Sequence, residues 1–167
     1  GIAEELRGKA QINPWGFKEY MLGFLFYRFA SENIAQWIND GEGGNFKYEN
    51  ISDEEAAKIK DEIVNVKGFF LLPSELFCNV LKNCEHDKNL NITIYNVFKN
   101  FEHSAVGSKS EESLKDLFYD LDVNSTKLGS DLESRIQILR LLLQKIGGLN
   151  LGKFSDNTID LFGDAYE

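Results

Sequence analysis

The sequence predicts an all-α fold, one helical domain of about six to eight helices with at most a very short extended or β segment. Three observations carry this. Proline is confined to Pro14 and Pro73 among 167 residues, sparse for a sandwich of many turns and easy for long helices. Apolar residues recur at i, i+3 and i+4 through most of the chain, the repeat of a helix with one buried face. Serines followed by glutamate at the third position, Ser52/Glu55, Ser108/Glu111 and Ser130/Glu133, precede such runs as capping boxes.

The elements follow in order. Asn13 offers a capping oxygen and Pro14 sits where a missing N–H costs nothing, so a helix starts there. Phe17, Tyr20, Met21, Phe24, Leu25 and Arg28 lie on one face of it, and Leu22, Phe26 and Phe29 fill another, which makes it apolar nearly all round and central. It is expected to run to Ile38, with Asp40, Gly41, Gly43 and Gly44 opening a loop of roughly ten residues. Ser52 then caps a single charged helix to Val66, stopped by Gly68. Phe69 to Pro73 reads as extended, because the residue before proline is driven out of the α region. Ser74 starts a helix bearing Leu76, Phe77, Val80 and Leu81, and Asn91 caps one bearing Ile94, Tyr95, Phe98 and Phe101. Ser108 caps a short helix with Leu114, Leu117 and Phe118. Ser130 caps a longer one with Leu132, Ile136, Leu139, Leu143 and Ile146 before Gly147 and Gly148. A last short helix is expected over Asp156 to Phe162, and Gly163 to Glu167 reads as the start of a helix cut off early, as in an excised domain. No repeat, low-complexity tract or long linker divides the chain.

Composition excludes several functions. Hydrophobic residues make up 43% of the chain, with 13 Phe, 6 Tyr and 2 Trp, too much apolar surface for a disordered acidic tail. Lys and Arg total 18 against 27 Asp and Glu, a net charge of −9, so the free domain repels phosphate and any DNA contact must be local or helped by a partner. The most apolar run, Tyr20 to Phe29, spans about half of the ~20 residues of a bilayer crossing, and reads as a buried core helix. No export signal is read at the start. Cys78 and Cys84 are too few for a disulfide framework, so reduced thiols and a cytoplasmic location are expected.

No constellation carries chemistry convincingly. Cys78, Cys84, His86 and His103 lack the paired spacing of a zinc site; Cys78 is expected to pack as a small hydrophobe and the histidines to sit on solvated turns. The run Asp120, Asp122, Asn124, Thr126 mimics half a calcium loop, but Ser125 stands where glycine is required and Asp131 where a longer glutamate is. Asp122, Asn124 and Ser125 therefore read as turn and capping groups. Asp116 and Asp120 read as a solvated acidic face rather than an acid–base pair. Gly41, Gly43 and Gly44 lack the Lys-Ser/Thr of a phosphate loop. Lys58, Lys60, Arg135 and Arg140 read as solvated helical ion-pairing residues.

Four stretches taken together resemble a known family. Glu19 to Ser31, with Tyr20, Leu22, Gly23, Phe24, Phe26 and Phe29; Gly68 to Pro73 before a helix; Leu117 to Gly129, with Phe118, Asp120, Asp122, Asn124, Ser125, Lys127 and Leu128; and Leu161 to Glu167 are similar, in order, to the N-terminal helical domain of the modification (methyltransferase) subunit of type I restriction-modification systems. The resemblance touches most of the chain, and residues 1–167 are then that domain, with the catalytic domain expected after 167. It implies a parent chain that transfers a methyl group from S-adenosylmethionine to adenine N6 in duplex DNA. It also implies partners: a specificity subunit, a second modification subunit and a restriction subunit, and no membrane. Such methyltransferases hold the flipped base with an Asn/Asp-Pro-Pro-aromatic element. Asn13-Pro14-Trp15 lacks the second proline, and the Phe-x-Gly-x-Gly cofactor turn is missing. No catalytic, cofactor or metal residue is therefore assigned here, and the DNA-facing residues stay unassigned. Tyr20, Gly23, Phe70 and Leu128 read as packing residues. The competing classes are a free-standing helical adaptor or regulator without activity, and a small metalloenzyme built on Asp120 to Asp131.

Overall fold

The computed structural model describes residues 14–118 and 121–151. Among these the chain forms seven α-helices, α1 Pro14–Glu42, α2 Asp53–Ala57, α3 Lys60–Lys67, α4 Phe77–Asn83, α5 Leu90–Ser104, α6 Glu111–Phe118 and α7 Leu132–Gly147, with single 3-10 turns at Tyr48–Asn50 and Pro73–Glu75. No strand occurs among the described residues. The all-α expectation holds. The short helix expected over 156–162 lies outside the described residues.

Helix α1 packs against α4 and α7, and α5 packs against α6 and α7. Tyr20, Phe24, Phe26, Tyr27, Ala30, Ile34 and Ile38 of α1 are buried, as expected of a helix apolar on several faces. An aromatic chain crosses the core from there. Phe24 and Tyr27 meet the Phe98 ring edge-on at 5.7 and 5.6 Å, and Phe98 stacks on Phe118 at 4.5 Å. Two buried phenols are tied to backbone: Tyr27 donates its hydroxyl to the Glu75 carbonyl at 2.6 Å and Tyr48 to that of Leu71 at 2.7 Å.

Several boundaries differ from the sequence expectation, each for a local reason. Helix α1 runs to Glu42 rather than Ile38, because the chain turns left-handed only at Gly43 (φ 74°) and Gly44 (φ 61°), and the Gly43 amide still bonds the Asn39 carbonyl. The single helix expected after Ser52 is two. Ser52 accepts the Glu55 amide at 3.1 Å as foreseen, but Lys58 and Ile59 bond back three residues instead of four, and the ladder restarts at Lys60. Such tightening turns the helix axis.

The helix expected from Ser74 begins at Phe77. The Ser74 hydroxyl and amide are both taken by the Asp53 carboxylate, while Glu75 folds back to accept the Leu72 amide at 2.9 Å, and Leu76 is extended (ψ 143°). The α4 amide of Phe77 is satisfied from a distance, by the Ser31 hydroxyl of α1 at 2.9 Å. The remaining caps are displaced. Asn89, not Asn91, precedes α5, and Asn91 instead donates to Asn124 at 2.7 Å. Ser108 donates to the Gly68 carbonyl at 2.7 Å while accepting the Ser110 amide, and Glu111 accepts from Gly107. Asp131, one residue past Ser130, caps α7 through the Ser134 amide at 2.8 Å. That bond holds its carboxyl below the ordinary aspartate range. Leu132, expected among the apolar residues of this helix, is exposed in its first turn.

Gly68 ends α3 in the left-handed region (φ 87°), as its position foretold. Unlike Gly43, around which an added Cβ meets nothing within 4 Å, Gly68 would bring a Cβ to 2.5 Å from the Ser110 hydroxyl. Gly43→Ala is expected to cost only the backbone term of about 1–2 kcal/mol, and Gly68→Ala that amount plus displacement of Ser110. Paired urea melts check the ordering; equal costs would show that Ser110 yields freely.

Candidate functional site

The residues flagged for chemistry are scattered, and several carry structural duties. Cys84 is buried and Cys78 exposed. This reverses the expectation that Cys78 packs inside: Phe77 and Val80 take the buried positions of α4, and Cys78 is exposed on a groove. Both thiols are pushed above their ordinary pKa, first by desolvation and then by Glu49 at Cys78 and Glu85 at Cys84. Neither is activated as a nucleophile, since the thiolate is the reactive form. His86 lies exposed on the turn after α4, whereas His103 is exposed on helix α5 rather than on a turn. No group of three or more metal-ligating side chains occurs among the described residues.

The Asp122 to Leu128 segment is a turn built as the sequence suggested. Asp122 accepts the Asn124 amide at 2.9 Å, and Ser125 accepts the Lys127 amide at 3.1 Å. Asp120 and the Asp116 side chain lie outside the described residues. Lys58 and Lys60 are exposed, but the two arginines are not solvated pairing residues. Arg135 donates to the Gly129 carbonyl at 3.1 Å and Arg140 to the Cys84 carbonyl at 3.0 Å, each half-buried. Planar guanidinium groups satisfy carbonyls that a loop leaves open, a role that helical charge spacing alone does not reveal.

The motif residues read as packing do pack, and they converge. Tyr20, Phe70 and Leu128 are buried. The Tyr20 hydroxyl donates to the Asp122 carbonyl at 2.7 Å, and a Cβ on Gly23 would run into the Leu121 side chain. The start of α1 thus holds the 121–128 turn by close approach plus one hydrogen bond. Burial, with a smaller contribution from the Asp122 charge, raises the Tyr20 phenol above its usual pKa and keeps it a neutral donor, against the opposing bond to Ser125.

Among the described residues, concavities open at three places of note. A groove of about 530 Å³ runs between α1 and α4 past Glu32, Asn39, Glu49, Phe77 and Cys78; one of about 380 Å³ lies between Gly68 and Lys109; and one of about 210 Å³ sits between α5 and the 121–123 segment. None places a nucleophile beside a base. What they offer is surface for another molecule.

Comparison with known proteins gives this surface a context. The family model described as the HsdM N-terminal domain matches residues 1–146. The chain belongs to that family. As an HsdM N-terminal domain it is 45% identical, over 176 aligned positions, to the type I restriction enzyme MpnII methylase subunit of Mycoplasma pneumoniae, covering 99% of this chain and 32% of that protein. Its fold matches the crystal structure of the type I restriction-modification system methyltransferase subunit from Streptococcus thermophilus with a TM-score of 0.71 and 21% identity, over 99% of this chain and 35% of that one. The chain therefore spans about a third of the length of the methylase subunits it matches. No described helix is long and apolar enough to cross a membrane. The three internal stretches that carried the resemblance share one core: α1 carries the first, the segment after Gly68 the second, and the turn seated on Tyr20 and Gly23 the third.

Proposed function

We propose that this chain is the DNA-clamping and subunit-interaction domain of a cytoplasmic type I modification subunit, whose remaining chain binds S-adenosylmethionine and methylates adenine N6 in duplex DNA. The observation that carries this is the family match over residues 1–146, joined to a 45% identical methylase subunit. The partners in this reading are a specificity subunit, a second modification subunit and a restriction subunit.

The residues divide the labour accordingly. No Asn/Asp-Pro-Pro-aromatic element and no Phe-x-Gly-x-Gly turn occurs in the sequence, so base flipping and cofactor binding fall to other parts of the subunit. A net charge of −9 assigns most phosphate neutralisation to the partners and leaves this domain protein contacts and a few local DNA contacts. The isolated domain is accordingly expected to bind short duplex DNA weakly or not at all at physiological salt, and to incorporate no labelled methyl group into it. Fluorescence anisotropy over a salt series reads the first. Submicromolar, steeply salt-dependent binding, or methyl incorporation by the domain alone, would overturn the reading. The positive arm is the complete subunit: deleting residues 14–151 is expected to abolish assembly with the specificity subunit and methylation of duplex DNA together.

A further inference from the structure

Helix α5 is buried on one side and carries Ile92, Tyr95, Asn96, Lys99 and His103 on the other, all exposed, Ile92 at 53% and Tyr95 at 48%. Their spacing places them along one face of the helix. In a chain with 27 carboxylates, no exposed position of α5 holds one. The concavity of about 210 Å³ opens beside this stripe, walled by Phe98, Phe118, Leu121 and Val123, with Tyr95, Lys99 and the half-buried Glu102 on its α5 side and Asp122 on the side of the 121–123 segment. The Lys99 ammonium lies 5.7 Å from the centre of the Tyr95 ring, a cation–π arrangement that holds the lysine at the rim.

We propose that this stripe and cavity are a docking surface for an amphipathic helix of a protein partner, whose apolar side chain enters the cavity. The partner helix presents a carboxylate to Lys99 and a cation to Asp122. Charge complementarity decides for protein over nucleic acid. A phosphate backbone is uniformly negative and would meet Glu102 and Asp122 as well as Lys99, whereas a protein helix carries side chains of both signs. Ile92 offers a phosphate no donor but gains by dehydration against an apolar partner. Exposed Tyr and Ile with few charges around them match the centre of a protein interface.

The inference rests on the reading of this chain as an interaction domain, and the test separates the two. In the complete subunit, p-benzoylphenylalanine is placed at position 95, and the complex with the specificity subunit and a duplex oligonucleotide is assembled, irradiated and mapped by mass spectrometry. A cross-link to a helical peptide of another subunit, with an apolar residue between charges of opposite sign, is expected. Cross-linking to DNA or to the same chain, or none, overturns the proposal. Independently, Ile92→Asp and Lys99→Glu are expected to weaken assembly about tenfold or more without shifting the thermal midpoint. Reversing the partner's carboxylate is expected to rescue Lys99→Glu. Unchanged assembly in both variants overturns the docking surface alone. Full assembly after deletion of residues 14–151 overturns the interaction-domain reading itself.

Discussion

Replacing Phe98 by alanine is expected to cost about 3–5 kcal/mol, enough to leave the domain largely unfolded at physiological temperature if its total stability is ordinary. Phe98 is 5% exposed and is where three elements meet: Phe24 and Tyr27 from α1, its own helix α5, and Phe118 from α6. Removing the ring takes its apolar area from the core and leaves a void that neighbouring rings cannot collapse into without losing their own edge-on contacts. Phe98→Leu keeps much of the volume and is expected to cost about 1–2 kcal/mol. Urea unfolding followed by tryptophan fluorescence reads both, with the transition midpoint falling and its slope unchanged. A loss below about 1.5 kcal/mol for the alanine variant would mean that the cluster relaxes freely and is not the centre of the fold.

That cluster was legible in the sequence only in part. Phe24, Phe98 and Phe118 each fall on an apolar helix face, which periodicity detects. Their meeting is a tertiary fact that a single sequence does not contain. The same division explains the helix starts. Gly68 and Ser52 were readable because their task is local, a left-handed stop and a bond to an amide three residues on. The α4 start was not, because its amide is satisfied by Ser31 from a different helix and Ser74 is claimed by Asp53. Ser130 lost its place to Asp131 because two capping residues stood side by side, and pattern alone does not choose between them.

The candidate surface divides similarly. The turn chemistry of Asp122, Asn124 and Ser125 is local and was foreseen. The Ile92, Tyr95 and Lys99 stripe was half visible: Tyr95 lies on the recurring apolar pattern of its helix and was grouped with Ile94 and Phe98 as core. The structure exposes it instead, because α1 and α6 cover the Phe98 side. An aromatic residue at the edge of an apolar face is the signal to question in such a helix. The arginines repeat the lesson. Arg28, Arg135 and Arg140 all spend guanidinium donors on backbone carbonyls, those of Arg28 and Arg140 far along the chain, and spacing to nearby acids says nothing of this.

Arg28→Met is the second large effect, expected to cost about 2–3 kcal/mol. The last carbonyls of any helix lack partners, and a cation there also meets the negative end of the helix dipole. One Arg28 nitrogen donates to both the Ile146 and the Leu149 carbonyls at 2.6 Å, while its Nε bonds Glu32 at 2.9 Å. Arg28 thereby closes the end of α7 onto α1 beside Gly147, where a Cβ would fall 2.7 Å from the Leu81 side chain of α4. The aliphatic stem of methionine preserves most of the packing, so the loss reports the two carbonyl bonds. Arg28→Lys keeps the charge but loses the planar fork that reaches carbonyl and carboxylate together, and is expected to recover less than half. Glu32, 38% exposed, contributes through a half-solvated pair, so Glu32→Gln is expected to cost no more than about 0.5 kcal/mol. The contrast between Arg28→Met and Glu32→Gln is the decisive comparison. Equal effects would make the ion pair the source of stability, whereas a large loss confined to Arg28, with faster hydrogen exchange at the Gly148 and Leu149 amides, assigns it to the helix end. Since the three polypeptide segments joined there are α1, α4 and α7, weakening that corner is expected to loosen the packing of α1 against α4 and α7.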